Sequence, residues 1–160
     1  MVQRIYMTVG LPGSGKSTWC RKKAEDKNVI IINKDAIRRM IKGQYIFDYL
    51  YEPFIESVSN SILGQALMTG FDIDETNITK EKRKNLIEKI YSYTSASELE
   101  VICVWFTENR NNLINRMSNA RGYTQERWSE VIEKMRKEFC EPSIEEGFTA
   151  VMKVQLSQFN

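Results

Sequence analysis

Histidine is absent from this 160-residue chain. Without an imidazole no Ser-His-Asp or Cys-His site can be built, and any general base must be a carboxylate, a lysine or a tyrosine. Cysteine is scarce and odd in number: Cys20, Cys103 and Cys140 stand far apart, with no CxxC pair. That pattern argues against a disulfide framework or a structural zinc site. Each cysteine is expected to serve as a small, partly buried apolar residue. No apolar run approaches the roughly 18 residues of a membrane span, and the start, MVQRIYMTVGLPG, lacks the apolar stretch and cleavage site of a signal peptide. The expectation is a protein of the reducing cytoplasm with no membrane partner. Charge of one sign is lacking too: 23 Lys and Arg offset 21 Asp and Glu, for a net +2. A duplex-coating protein carries a strong basic excess. This chain could take a strand end in a cleft, but not hold a long stretch by charge alone.

What is present is ordinary for a folded protein: 42% apolar and 28% charged residues, without low complexity. Short apolar runs alternate with helical spacing. Strands are expected at Ile5–Val9, Val29–Ile32, Phe71–Ile73, Leu99–Phe106 and Thr149–Leu156. Helices are expected at Ser17–Asp26, Lys34–Lys42, Ile46–Met68, from Thr79 as N-cap, at Asn111–Met117 and at Gln125–Phe139. Strands alternating with helices predict an α/β fold, a parallel sheet of about four to five strands flanked by helices. No repeat or linker divides it, so residues 1–160 are expected to form one domain.

Between the first strand and first helix stands Gly10-Leu-Pro-Gly-Ser-Gly15-Lys16-Ser17, a full GxxxxGK[ST] match. A loop that wraps a phosphate needs inward-pointing amides and no side chains in the way, which glycine permits. The following helix aims its positive end at the same anion. Gly13, Ser14, Gly15, Lys16, Ser17 and Thr18 are therefore the expected ATP-binding set. Lys16 would serve the β- and γ-phosphates, and Ser17 would be a ligand to Mg²⁺.

Ligands of a doubly wound sheet sit at the carboxyl ends of its strands. The second strand ends before Asn33-Lys34-Asp35, with Arg38 three residues on. Asp35 is thus the candidate base for an acceptor hydroxyl, and Arg38 could hold an anionic acceptor; a helix cap paired with an arginine is the plainer alternative. After the third strand, Asp74 is the first candidate, and Glu75 the second, for a carboxylate that binds Mg²⁺ through water. Asp72-Ile-Asp74-Glu-Thr76 also fits the DxDxT phosphatase signature superficially, but that chemistry needs a long domain of its own. Following the fourth strand, Arg121 and then Arg116 are candidates for a helical lid that neutralises charge on the phosphates, while Arg110 is expected on the surface. Tyr45, Phe47, Tyr49, Tyr51 and Phe54 could stack on an acceptor base, with core packing as the more ordinary use.

Assembled, these residues resemble the kinase domain of the T-even phage 5′-polynucleotide kinases and, more loosely, the zeta-toxin-like and AAA_33-type P-loop kinases. The likeness rests on GLPGSGKSTW, on Ile32-Asn33-Lys34-Asp35 with Arg38, on Glu75-Thr76-Asn77, and on Arg116-x-x-x-x-Arg121-Gly122; it runs from about residue 3 to residue 140. It implies Lys16 and Ser17 at the phosphates and metal, Asp35 as general base, Arg38 on the acceptor's phosphate and Arg121 on the γ-phosphate. Glu75 stands where the phage enzyme has Asp, and the arginine spacing is one residue longer. The likeness implies a phosphotransferase acting on the 5′-hydroxyl end of DNA or RNA, phage-encoded and working in a host cytoplasm, without the phage enzyme's phosphatase domain. A kinase of a small molecule, nucleotide or modified DNA base would use the same loop, carboxylate and lid. A nucleotide-dependent switch would not need Asp35.

Overall fold

The computed structural model describes residues 2–26, 28–44, 48–69, 72–76, 79–94, 99–121 and 124–155. Five strands, β1 (Gln3–Val9), β2 (Val29–Ile31), β3 (Asp72–Thr76), β4 (Leu99–Phe106) and β5 (Ala150–Val154), form one sheet in the order β2-β3-β1-β4-β5. Every pairing is parallel. The intervening helices are α1 (Lys16–Asp26), α2 (Lys34–Lys42), α3 (Glu52–Thr69), α4 (Lys80–Tyr93), α5 (Arg110–Arg121) and α6 (Gln125–Glu138). The α/β class and parallel five-stranded sheet follow the sequence order.

β1 sits in the middle, and its side chains alternate between two cores. Ile5, Met7 and Val9 join Val101 and Cys103 of β4 under Leu63, Ala66 and Leu67 of α3 and Ile87 and Ile90 of α4. Tyr6 joins Val104, Phe106 and Val154 on the opposite face, with Trp19 of α1 packed edge-on to Tyr6 and Phe106. Each fully buried Ile, Leu or Met contributes about 1.5–3 kcal/mol, so the central strand is the best-anchored element. A third cluster, Leu113, Ile114, Met117, Trp128 and Ile132, joins α5 to α6.

Capping follows local chemistry. Asn33 accepts from the Ala36 amide, Thr79 from Lys82 and Thr124 from Arg127, which satisfies amides orphaned at the starts of α2, α4 and α6. Behind the larger core Arg83 and Glu146 are both buried and form a two-point ion pair at 2.7 and 2.8 Å, tying α4 to the 3₁₀ turn before β5. Burial alone would raise the Glu146 carboxyl; hydrogen bonds from Arg83 and the Ser143 amide overcome this and hold it below the usual range.

Several expectations need correction. Helix α3 begins at Glu52, not Ile46. Residues 48–51 form a turn, with Tyr51 N bonded to Asp48 O at 3.0 Å. Pro53 explains the late start: it lacks an N–H and fits a first helical turn, not an interior one. The buried face of α3 is Ile55, Ser59, Leu63, Ala66 and Leu67, whereas Leu50 (77% exposed) and Phe54 (56%) face water. Tyr49 is 83% exposed, so it too is outside the core, and Tyr45 and Phe47 lie outside the described residues. β3 extends to Thr76 rather than Ile73. Of the cysteines, Cys20 and Cys103 are buried but Cys140 is exposed.

Candidate active site

The loop at the end of β1 is closed by its own geometry. A Cβ on Gly10 would come within 2.8 Å of Ser14 Oγ and 2.9 Å of the Phe106 carbonyl, so no side chain fits there. Gly13 and Gly15 hold φ of 78° and 97°, a region costly for other residues. Gly15 O accepts from the Thr18 and Trp19 amides and thereby starts α1. Lys16 Nζ lies 2.8 Å from the carbonyls of both Gly10 and Leu11 and 3.4 Å from Ser14 Oγ. The lysine thus sits inside the loop it serves. Ser14 is buried, while Ser17 and Thr18 are exposed on the first turn of α1.

Because all strands run parallel, the turns after β1, β2 and β4 emerge at one edge of the sheet. β2 lies two places from β1, about 10 Å at ordinary strand spacing. Asp35 follows β2 on the first turn of α2, where a carboxylate suits the positive helix end. Its Oδ1 accepts from Arg38 Nη1 at 2.6 Å. The sequence missed the third member of this group. Glu52 takes Arg38 Nε at 2.8 Å and Nη2 at 2.6 Å, a two-point clamp on a side chain only 10% exposed. Arg38 therefore lies buried between two carboxylates, and its pairing with Asp35 is the plainer alternative that the sequence offered. Pro53 was the signal that could have found Glu52, by marking a helix start beside it. Four residues on, Glu56 pairs with Lys34 at 2.5 Å, so one face of α3 is stitched to the start of α2.

On the other side of the loop stands α5. Arg116 Nη1 donates to the Gly13 carbonyl at 3.2 Å and to Glu108 Oε2 at 2.6 Å. Glu108 also accepts from Asn112 Nδ2 and the Asn109 amide, each at 3.1 Å. Burial would raise its carboxyl, but the bonds from Asn112, Arg116 and Asn109 together hold it below the usual range. Leu11 of the loop packs into the α5–α6 cluster. Arg110 lies at the surface as expected, with 40% of its side chain exposed, and reaches Ser129 and Glu133 of α6. Arg121 is the last residue of α5, and its side chain lies outside the described residues, as do Gly122 and Tyr123. Asp74 is placed by backbone only: it lies within β3, between Ile31 and Tyr6, two residues short of the strand's end. No strand-end position therefore falls on Asp74, and its side chain too lies outside the described residues.

A parallel sheet with a phosphate-binding loop at its central strand and charged side chains on the adjoining turns defines a P-loop nucleotide-binding protein. Residues 5–142 match the AAA_33 family, described as an AAA domain, and the chain belongs to that family. It is a P-loop kinase of the AAA_33 type, a class that uses ATP. A shikimate kinase of Corynebacterium diphtheriae is 26% identical over 130 residues, covering 78% of this chain and 75% of the relative. Among solved structures, a chain of the Pnkp1/Rnl/Hen1 RNA repair complex superposes with a TM-score of 0.67 at 17% identity over 87% of this chain. This chain spans about half of that protein's length, 47%. A gluconokinase from Sinorhizobium meliloti 1021 gives a TM-score of 0.58 at 19% identity, covering 98% of this chain and 83% of that one. At these identities the two structures share the fold. No helix among the described residues is long and apolar enough to cross a membrane.

Proposed function

We propose that the chain transfers the γ-phosphate of ATP to the 5′-hydroxyl end of a nucleic acid, DNA or RNA. Phosphotransfer to a hydroxyl rests on the position of Asp35, on the same sheet edge as Lys16, two strands away and on the first turn of a capped helix; the choice of a nucleic-acid acceptor rests on the likeness to a chain of an RNA repair complex. That separation leaves room for a triphosphate held by the loop and a hydroxyl held between it and the carboxylate. The amides of Gly13, Ser14 and Gly15 cradle the phosphates, with Lys16 moving from the loop carbonyls onto the β- and γ-oxygens. Asp35 orients the acceptor hydroxyl and takes its proton late in a loose transition state. Arg38 steadies that carboxylate through its 2.6 Å bond to Asp35 and stands as the candidate for the acceptor's phosphate. Arg121, with Arg116 behind it, neutralises charge growing on the transferred group.

A hard oxygen donor next to the loop suits Mg²⁺, which takes few protein ligands; Ser17, exposed beside Lys16, fits that requirement. Ser17 would hold the ion, which would supply charge neutralisation at the phosphates; Asp74, two residues short of the strand end, has lost the position that suggested a water-mediated role. The structural likeness to a chain of an RNA repair complex supports a nucleic-acid acceptor. The likeness to a shikimate kinase favours a second reading, a small hydroxylated acceptor. Arg38's engagement by two carboxylates also favours it, because less of that cation is left for a strand phosphate.

One experiment separates the two. The protein is incubated with γ-labelled ATP and, in parallel, a 5′-hydroxyl oligonucleotide, its 5′-phosphorylated twin, nucleosides, nucleoside monophosphates, shikimate and gluconate. Label on the 5′-hydroxyl oligonucleotide alone is expected. Label confined to small molecules would overturn the polynucleotide reading.

A further inference from the structure

The loop's contact with α5 does more than support it. Arg116 Nη1 is shared between Glu108 Oε2 at 2.6 Å and the Gly13 carbonyl at 3.2 Å. A trans peptide is planar, so its C=O and the next N–H point in opposite directions. With the Gly13 carbonyl turned out towards α5, the Ser14 amide is turned into the loop. There it meets the Leu11 carbonyl at 3.2 Å, near the long end of an N–H···O bond. Lys16 Nζ meets the same carbonyl at 2.8 Å. Leu11 O thus occupies the focus of an inward amide and an ammonium, the two donors a phosphate oxygen would take over. Only glycine fits here against α5, because the Leu113 carbonyl and Met117 Cγ stand 3.1 and 3.2 Å from where a Cβ would be.

Arg116 is long and flexible, and 38% of its side chain is exposed. Alone it would lose rotamer entropy to sit on one weak carbonyl contact. Glu108 removes that cost. Its carboxylate is 14% exposed, fixed by the Asn109 amide and Asn112, and it presents one oxygen to Arg116.

We propose that Glu108 is a positioning residue for nucleotide binding: it holds Arg116 against the Gly13 carbonyl and so sets the Ser14 amide to receive a phosphate. This rests on the chain's being a P-loop kinase and is independent of which acceptor it uses.

Titration with ATP, ADP and AMP by isothermal calorimetry, without acceptor, tests it. Glu108→Gln keeps the volume and an acceptor oxygen for Asn109 and Asn112, so it should fold, with a melting point lowered by only a few degrees through loss of the Arg116 ion pair. Its Kd for ATP and ADP should rise about five- to tenfold, the weight of one ordinary hydrogen bond, because the Ser14 amide is displaced rather than removed. AMP has no β-phosphate for the loop, and its affinity should stay within twofold. Arg116→Ala should do the same, and the double variant should bind no worse than Arg116→Ala alone. Unchanged ATP affinity in Glu108→Gln, an equal loss for AMP, or effects that multiply in the double variant would each overturn the proposal. If no acceptor is ever labelled but these affinities behave as stated, only the phosphotransfer reading fails.

Discussion

Replacing Glu52 by alanine removes a group that sequence patterns do not mark and the tertiary structure places beside Asp35. Two charge-assisted bonds vanish, at 2.8 and 2.6 Å, from an arginine side chain that is 10% exposed. Breaking a buried ion pair from one side costs about 3–5 kcal/mol. Glu52 itself is 27% exposed, so water recovers part of that, leaving about 1–2 kcal/mol of lost stability. In a domain of this size each kcal/mol moves the melting point by about 2–4 °C, so Tm should fall by about 2–8 °C. The catalytic effect should be larger. Arg38 loses two of the bonds that fix it and can shift together with Asp35, and a misplacement of about 1 Å can cost a hundredfold in rate. Turnover with the preferred acceptor should fall about 10–100-fold, or about 1.4–2.8 kcal/mol of barrier, while the Kd for ATP stays unchanged. Calorimetry, a melting curve and steady-state kinetics on one preparation measure all three. Full acceptor turnover in Glu52→Ala would refute the claim that Glu52 fixes Arg38 for Asp35. An equal loss of ATP affinity would refute it as well, since the damage would then reach the loop.

The remaining predictions follow from the same geometry. Asp35→Ala should cost about 10²–10⁴ in turnover with ATP affinity intact; an active variant would show that Asp35 is not the base. Glu146 has its carboxyl held below the ordinary 4.5, so its ion pair contributes stability that is complete above that value and is lost as pH falls through the lower, folded value. Glu146→Gln should therefore lower the urea midpoint at pH 7 and lose less than wild type as pH falls below 4.5, where equal slopes would contradict the pairing. A disulfide reagent at pH 8 should modify Cys140 alone in the folded protein and all three thiols in urea. Cys103 should be inert because burial, only partly offset by Arg83 and added to by Glu146, pushes its thiol up to about 12.

Much of this protein is written locally. The α/β order is set by the alternation of β-branched runs with capped amphipathic segments, and the spans Lys34–Lys42 and Leu99–Phe106 agree with the structure end for end. The phosphate loop was legible because its requirement is a backbone one: glycines at fixed offsets, a lysine and a hydroxyl, all within eight consecutive residues. Asp35 was legible as a carboxylate at a strand end. Where the reading slipped, it relied on helical spacing without its punctuation. The apolar pattern ran the third helix back through Pro53 and favoured core packing for Phe54, although proline belongs to a first turn and Phe54 meets water.

What sequence could not supply is partnership across elements. Glu52 meets Arg38 only because α3 folds back on α2, and Glu108 meets Arg116 only because β4 delivers α5 alongside the loop. Fourteen residues separate the first pair and eight the second, with no periodicity to link them. Local propensity acts over a helical turn or a strand, so the chain's own order determined the loop and its strand-end carboxylate. Which charges would stand around them was decided by packing, because an ion pair between elements exists only where the core has already brought them together.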